Sequence, residues 1–263
     1  MTVEMASREC GTPVATDTLS SIAKAARVLR ALALAGDGDA GVTDLATFAS
    51  LPKSTTHRVL AELMREDLVC RSDQRYRLGP GWFELQSALG SSEWHRLVDR
   101  AKNPLASLFE RTGATVHFGV LDGERVLYLE KLTARGGTRV PTRVGSHMPA
   151  TCTALGKVLL AHSSPDHIRS VLSGPLPVAS RRSVALPNLL ARQFVEIRRA
   201  GIAYDAEESQ EGVFCVAAPV YANGRVVAAV SVTRIGANVT SRDDVLSVRR
   251  AASQICGWVA KAS

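Results

Sequence analysis

No apolar run in the chain approaches the roughly 20 residues needed to cross a bilayer, so no membrane-spanning segment is expected. The first residues carry Glu4, Arg8 and Glu9 without an apolar core, which argues against a secretory signal. Five cysteines are present, an odd number, scattered as Cys10, Cys70, Cys152, Cys215 and Cys256. Their spacing is neither a disulfide framework nor a zinc motif, and free thiols point to a reducing cytoplasm. Repeats and low-complexity tracts are also missing, which excludes solenoids and fibrous folds. What remains is an ordinary globular composition, 46% hydrophobic and 22% charged, in 263 residues. That length fits two modest domains better than one large one.

The formal net charge is +7, but its distribution matters more than its size. Residues 20–80 hold 9 basic against 7 acidic side chains, whereas residues 101–263 hold 20 against 12. Most of the excess therefore lies outside the stretch that reads as a DNA reader. Nucleic-acid binding has to rest on local placement rather than on bulk charge.

That stretch is Leu51-Pro52-Lys53-Ser54-Thr55-Thr56-His57-Arg58-Val59-Leu60. Pro52 suits a first helical position, and Val59, Leu60, Leu63 and Met64 recur at helical spacing on one face. Lys53, Ser54, Thr55 and Arg58 then look outward from the helix start, as the recognition helix of a helix-turn-helix requires. His57 is divided between a phosphate contact and packing against a wing. Before this helix, residues 1–18 read as a disordered tail. A helix follows from Ser20 or Ser21 to about Leu34, with Ile22, Ala26, Leu29 and Ala33 on one face. The loop Asp37–Gly41 precedes a short helix capped by Thr43, with Leu45, Phe48 and Ala49 inward. After it, two strand-like runs around Ser72-Asp73-Gln74 make a wing that carries Arg71, Arg75 and Arg77, placed for phosphates or a minor groove.

Pro80-Gly81 breaks the chain, and apolar residues spread round Trp82 to about Asp99 predict a linker helix buried against a partner subunit. A further helix spans 101–112. Asp122-Gly123 and Asn223-Gly224 each sit between alternating runs and predict hairpins. A basic loop Arg135–Arg139 leads to an extended run ending near Val144. The segment from Met148 enters a helix reaching His162, and helices over 166–172, 188–200 and 241–261 are expected. The last opens on Ser241-Arg242-Asp243-Asp244, close to a capping box. Five or six strands, two hairpins and terminal helices describe an antiparallel α+β sensor domain.

Four stretches together resemble the IclR-type bacterial transcription regulators: LPKSTTHRVLAELMRED with RYRLGP, ERTGATVHFGVLDGERVLYLEK, RVGSHMPATCTALGKVLLA, and GIAYDAEESQEGVFCVAAPVY with GRVVAAVSV. The resemblance covers nearly the whole chain. It implies an α+β protein with an N-terminal winged helix-turn-helix (19–79), a linker helix (80–100) and a GAF/PAS-like effector-binding and oligomerisation domain (101–263). It also implies a homodimer or homotetramer, a roughly palindromic double-stranded operator, and repression or activation of catabolic or secondary-metabolic operons; a repressor is the expectation here. Carried over by residue, the effector pocket comprises Thr153, Ala154, Gly156, Asp205, Val213, Cys215, Ser231 and Thr233. Independently, backbone N–H groups at a helix start with hydroxyls on facing strands form a site for a carboxylate. Thr151 and Cys152 stand where many members have a histidine, and Pro149, Cys152 and Thr153 are more similar to regulators of aromatic-acid catabolism. The expected ligand is a small anionic carboxylic acid, aromatic or hydroxylated.

No catalytic residue, metal or cofactor is expected. Cys152 and Cys215 lack a sequence-near histidine in a nucleophile arrangement and read as small buried or pocket-lining residues. The alternatives are a redox or metal sensor using Cys152, Cys215, His117 and His147, and a cysteine-dependent hydrolase. Glu207, Glu208 and Glu211 read as a solvated turn, and Lys157 as a surface residue. Arg135, Arg139 and Arg143 read as mainly solvated.

Overall fold

The computed structural model describes residues 19–35, 38–89, 92–133, 140, 142–236 and 240–260. The tail 1–18 and the basic loop 135–139 lie outside the described residues. Two compact units divide the chain, 1–91 and 92–263.

The first unit runs α1 (Ser21–Leu34), β1 (Asp39–Gly41), α2 (Val42–Ala49), α3 (Lys53–Arg65), β2 (Val69–Ser72), β3 (Arg75–Leu78) and α4 (Gly81–Leu89). The strands form an antiparallel sheet in the order β1-β3-β2. Its core gathers Val28, Leu32, Leu45, Leu60, Leu63 and Tyr76. Several local expectations are corrected. Asp39–Gly41 is a strand, paired with Arg75–Arg77, because a three-residue edge leaves no periodicity to read. Gly41 rather than Thr43 is the N-cap of α2. Phe48 and Ile22 are exposed, and Ala46, Val28 and Ala31 take the inward positions instead. Pro52 is the N-cap of α3, one position before the first turn.

The second unit begins with α5 (Glu93–Thr112), and the expected continuous linker helix is therefore split. α4 ends at Leu89, while Ser92 starts α5 by accepting from the His95 N–H at 3.1 Å. This cap satisfies an orphan donor of the first turn and fixes a boundary that apolar spacing alone does not mark. Pro104 lies inside α5, so the helices expected on either side of residue 100 are one. The unit continues with β4 (Thr115–Asp122), β5 (Arg125–Leu132), β6 (His147–Pro149), a 3-10 turn (Ala150–Cys152), α6 (Ala154–Ala161), α7 (Pro165–Ser173), α8 (Pro187–Ala200), β7 (Ala203–Ala206), β8 (Val213–Ala222), β9 (Arg225–Ile235) and α9 (Arg242–Ala260). β6 is one of the two edge strands; the described residues around Val144 form a turn, not the extended run expected there.

Six antiparallel strands lie in the order β6-β5-β4-β9-β8-β7. Both Gly-containing turns close hairpins as expected, with Gly123 at φ +59° and Asn223 and Gly224 at +50° and +75°. Helices cover both faces. Leu105 and Leu108 of α5 and Val248 and Ile255 of α9 pack on Phe118, Val216, Val230 and Val232. Leu155 and Leu159 of α6 and Leu190 and Phe194 of α8 pack on Val126, Tyr128, Ala217 and Ala229. The start of α9 is a reciprocal cap: Asp244 N–H donates to Ser241 Oγ at 3.1 Å, and Ser241 N–H donates to Asp244 Oδ2 at 2.8 Å. Aspartate thus substitutes for the longer acid of the usual box, held also by the Arg234 guanidinium at 2.7 and 2.8 Å.

Candidate functional site

Strand alternation decides which side chains meet. On β9, Val230 and Val232 face α5 and α9, so Ser231 and Thr233 must face α6. The same parity turns His117 of β4, Val213 and Cys215 of β8, and Asp205 of β7 to that side. Cross-strand register aligns them: Asp205 opposite Cys215, Cys215 opposite Thr233, and His117 opposite Ser231. The helix that covers them starts at Thr153, whose Oγ accepts from the Gly156 N–H at 3.0 Å. Between sheet and helix start lies a cavity of about 40 Å³, lined by Thr153, Ala154, Leu155, Asp205, Val213, Cys215, Ser231 and Thr233, and also by His117, Tyr128, Thr142 and Met148. That is room for about three waters at 10–15 Å³ each. An aromatic acid would have to displace some of this lining.

Seven of the eight sequence-derived pocket residues thus line one cavity, and Gly156 does not. Gly156 serves it from behind. A Cβ there would stand 2.2 Å from the Ala150 carbonyl oxygen, so only glycine lets α6 approach the 3-10 turn this closely. Its N–H belongs to the Thr153 cap, which leaves the N–H groups of Ala154 and Leu155, at the positive end of the helix, without a partner among the described residues.

The polar groups of the cavity have defined states. Burial pushes the His117 imidazole down to about 3, helped by nearby Lys131, so the ring is neutral. Its Nδ1 lies 3.2 Å from Thr233 Oγ1 and its Nε2 lies 2.7 Å from Thr142 Oγ1. Burial also raises the Cys215 thiol well above its ordinary value, and the Asp205 carboxylate raises it further, so the sulfur keeps its proton. A protonated thiol without an activating base is a poor nucleophile. Asp205 itself is raised by burial, against hydrogen bonds from the Ser209 hydroxyl (2.6 Å) and the Glu208 and Ser209 N–H groups (2.7 and 3.3 Å). Burial holds Tyr128 protonated as well.

Two expectations about this region are overturned. Lys157 is buried, not superficial, and Glu208 is not solvated: Lys157 Nζ donates to Glu208 Oε1 at 2.6 Å and to Gln193 Oε1 at 3.2 Å. The pair ties α6 and α8 to the turn after β7. The partners are far apart in sequence, so no local pattern announces them. Of the other two acids, Glu211 is exposed, and Glu207 accepts from the Gly212 N–H at 2.9 Å. The sulfur and imidazole groups named for a metal or redox sensor are dispersed. Cys152 donates to the Pro177 carbonyl, and His147 pairs with Asp122 at 2.8 Å, while His117 and Cys215 are in the cavity. Among the described residues no group of three or more His, Cys, Asp and Glu could hold a metal ion. His117 and Thr142 were not assigned to the pocket from sequence. The alternation of VHF in β4 was the signal available for His117.

In the first unit, Lys53, Ser54, His57 and Arg58 are exposed on α3 and Thr55 is partly so, while Thr56 is buried and donates to the Pro52 carbonyl at 3.1 Å. The wing arginines are exposed but engaged. Arg71 donates to Asp73 O and Gln74 Oε1, Arg75 pairs with Asp39 at 2.6 Å, and Arg77 donates to Cys70 Sγ at 3.1 Å. Asp39 enters through β1, the strand that sequence reading took for a loop.

Two family models match the chain: the IclR helix-turn-helix domain over residues 21–73 and the bacterial transcriptional regulator IclR C-terminal domain over residues 91–257. The HTH-type transcriptional regulator XynR of Escherichia coli is 34% identical over 209 residues, 75% of this chain and 79% of that protein. The glycerol operon regulatory protein of Streptomyces coelicolor is 32% identical over 82% of this chain and 84% of its own length. Among solved structures, an IclR homologue from Microbacterium hydrocarbonoxydans in complex with 4-hydroxybenzoate superposes with a TM-score of 0.80 at 30% identity, covering 93% of this chain and 100% of that one. The Thermotoga maritima IclR gives 0.75 at 26% identity over 91% and 98%.

Proposed function

The chain belongs to the IclR family of ligand-responsive, DNA-binding transcriptional regulators, and from that membership we propose that it is a repressor released by a small hydroxylated carboxylic acid. Its relatives regulate transcription and are not enzymes. The observation that carries the ligand reading is where the few polar groups of this mainly apolar cavity lie. Two backbone N–H groups at the start of α6 offer donors to a carboxylate, and Asp205, Ser231 and Thr233 across the cavity offer partners to a hydroxyl. The homologue that holds 4-hydroxybenzoate supports the same ligand class. The expected test result is that 4-hydroxybenzoate or a related hydroxy acid raises the melting temperature of the protein, and that Ser231→Leu removes this shift by filling the cavity. A screen of small carboxylic acids in which none shifts the melting temperature would sink the ligand class.

Operator contact is assigned to the exposed start of α3, namely Lys53, Ser54, Thr55, His57 and Arg58, in a roughly palindromic site read by a homodimer or tetramer. The exposed Phe83 and Leu85 of α4 support a partner subunit there. Arg71, Arg75 and Arg77 are the wing contacts, with a graded expectation. Arg58→Ala should weaken operator binding by about 1–3 kcal/mol if it reads a base edge. Arg75→Ala should have the smaller effect, because Asp39 already holds its guanidinium. Gel-shift titrations at one salt concentration separate the two; the reverse ranking would move the readout from α3 to the wing.

A further inference from the structure

His117 has no role in the pocket residues carried over from the family, yet both of its ring nitrogens are used inside the cavity. The row can be followed atom by atom. Thr142 Oγ1 lies 2.7 Å from Nε2, Nδ1 lies 3.2 Å from Thr233 Oγ1, and Thr233 Oγ1 lies 3.2 Å from Cys215 Sγ. Cys215 is the register partner of Asp205, and both side chains line the same cavity. Each middle member both donates and accepts, so the row has two possible directions. Its end decides between them. An ionised carboxylate only accepts, and Asp205 already draws in the Ser209 hydroxyl and two backbone N–H groups, the donor set of a carboxylate.

Resting on the reading of this cavity as the effector site, we propose that His117 is a positioning residue held as its Nδ1–H tautomer by the row Asp205–Cys215–Thr233. In that direction the thiol donates to Asp205, the Thr233 hydroxyl donates to sulfur, Nδ1–H donates to Thr233, and Nε2 accepts the Thr142 hydroxyl. The consequence is chemical selectivity at the wall opposite α6. The hydroxyl hydrogens of Thr142 and Thr233 are both committed within the row, so these residues present oxygen lone pairs to the cavity. Toward these two oxygens a ligand O–H or N–H is favoured and a carboxylate is repelled, which turns the acid group toward the donors at the helix start. His117 thereby fixes the ligand's orientation through the two threonines. Lys131 supports the arrangement from outside: its ammonium donates to the carbonyls of Val140 and Thr142, both at 2.7 Å, and anchors the backbone that carries the Thr142 hydroxyl.

The experiment is nitrogen NMR of the ligand-free, full-length protein labelled only in histidine. The wild type should give one neutral imidazole with Nδ1 protonated and Nε2 an acceptor, unchanged between about pH 5 and 8, in contrast to an ordinary histidine, which titrates there. Cys215→Ala cuts the row and should release His117 to a mixture of tautomers, whereas Cys215→Ser, which keeps a donor and an acceptor, should retain Nδ1–H. An Nε2–H tautomer in the wild type overturns the proposal, as does a Cys215→Ala spectrum indistinguishable from wild type. Because no effector is added, a negative result here leaves the carboxylic-acid screen to judge the function separately.

Discussion

Gly156→Ala is expected to destabilise the C-terminal unit by about 4 kcal/mol, at the upper end of single substitutions. The added methyl would meet the Ala150 carbonyl oxygen at 2.2 Å and its Cα at 2.3 Å, contacts with backbone and not with the end of a flexible side chain. Relief requires α6 to lift from the 3-10 turn. That lift opens the cavity floor and moves the Ala154 and Leu155 N–H groups that the carboxylate needs. Thr153→Ala provides the comparison. It removes the N-cap bond to Gly156 and leaves the helix room, for which about 1 kcal/mol is expected. Denaturant unfolding followed by circular dichroism measures both. Equal losses would mean that Gly156 is needed only for the cap, and that close packing of α6 is not what positions the site.

The contrast between these residues shows what sequence could and could not reveal. Two-residue turns at Asp122-Gly123 and Asn223-Gly224 are local chemistry, so both hairpins were readable, and strand parity then sends Ser231, Thr233 and Cys215 to one face. Thr153 was readable for a similar reason, since a hydroxyl before an apolar helix is a cap signal. Gly156 was drawn into the pocket by the motif around it, but its role is steric and depends on Ala150, which only the folded turn brings near. Three-residue strands such as β1 and β6 have no period to detect. The cost of missing β1 was functional, because it carries the Asp39 that restrains Arg75. Exposure of Phe48 and Ile22 was misjudged because helical spacing identifies a face and not its depth. Burial of Lys157 depends on two partners from other elements, and charge type alone argued for the surface.

Lys157→Met is the second substitution for which a large effect is expected, about 3–5 kcal/mol of lost stability near neutral pH. Lys157 and Glu208 are 3% and 9% exposed at the side chain, so removing the ammonium strands a carboxylate in a dry site. Glu208 Oε2 already has no hydrogen-bond partner among the described residues, which leaves Oε1 and its lysine as the main compensation. The pH dependence follows with a definite sign. Burial raises the Glu208 carboxyl above its ordinary value even with Lys157 opposing it, and without Lys157 it must rise further. A raised carboxyl pKa in the folded state means that folding takes up a proton. Stability is then fully present below the unfolded value, about 4.3, and is lost as pH rises through the folded one. The deficit of Lys157→Met should therefore shrink as pH falls toward 4 and be largest at pH 7 and above. Lys157→Met combined with Glu208→Gln should recover much of the loss at neutral pH, since no unpaired charge remains. Denaturation at several pH values distinguishes this from a packing defect, which would give a deficit independent of pH and no recovery in the double variant. Because Glu208 N–H also holds Asp205 at 2.7 Å, a variant that folds with a displaced turn should lose its response to the effector before it loses operator binding.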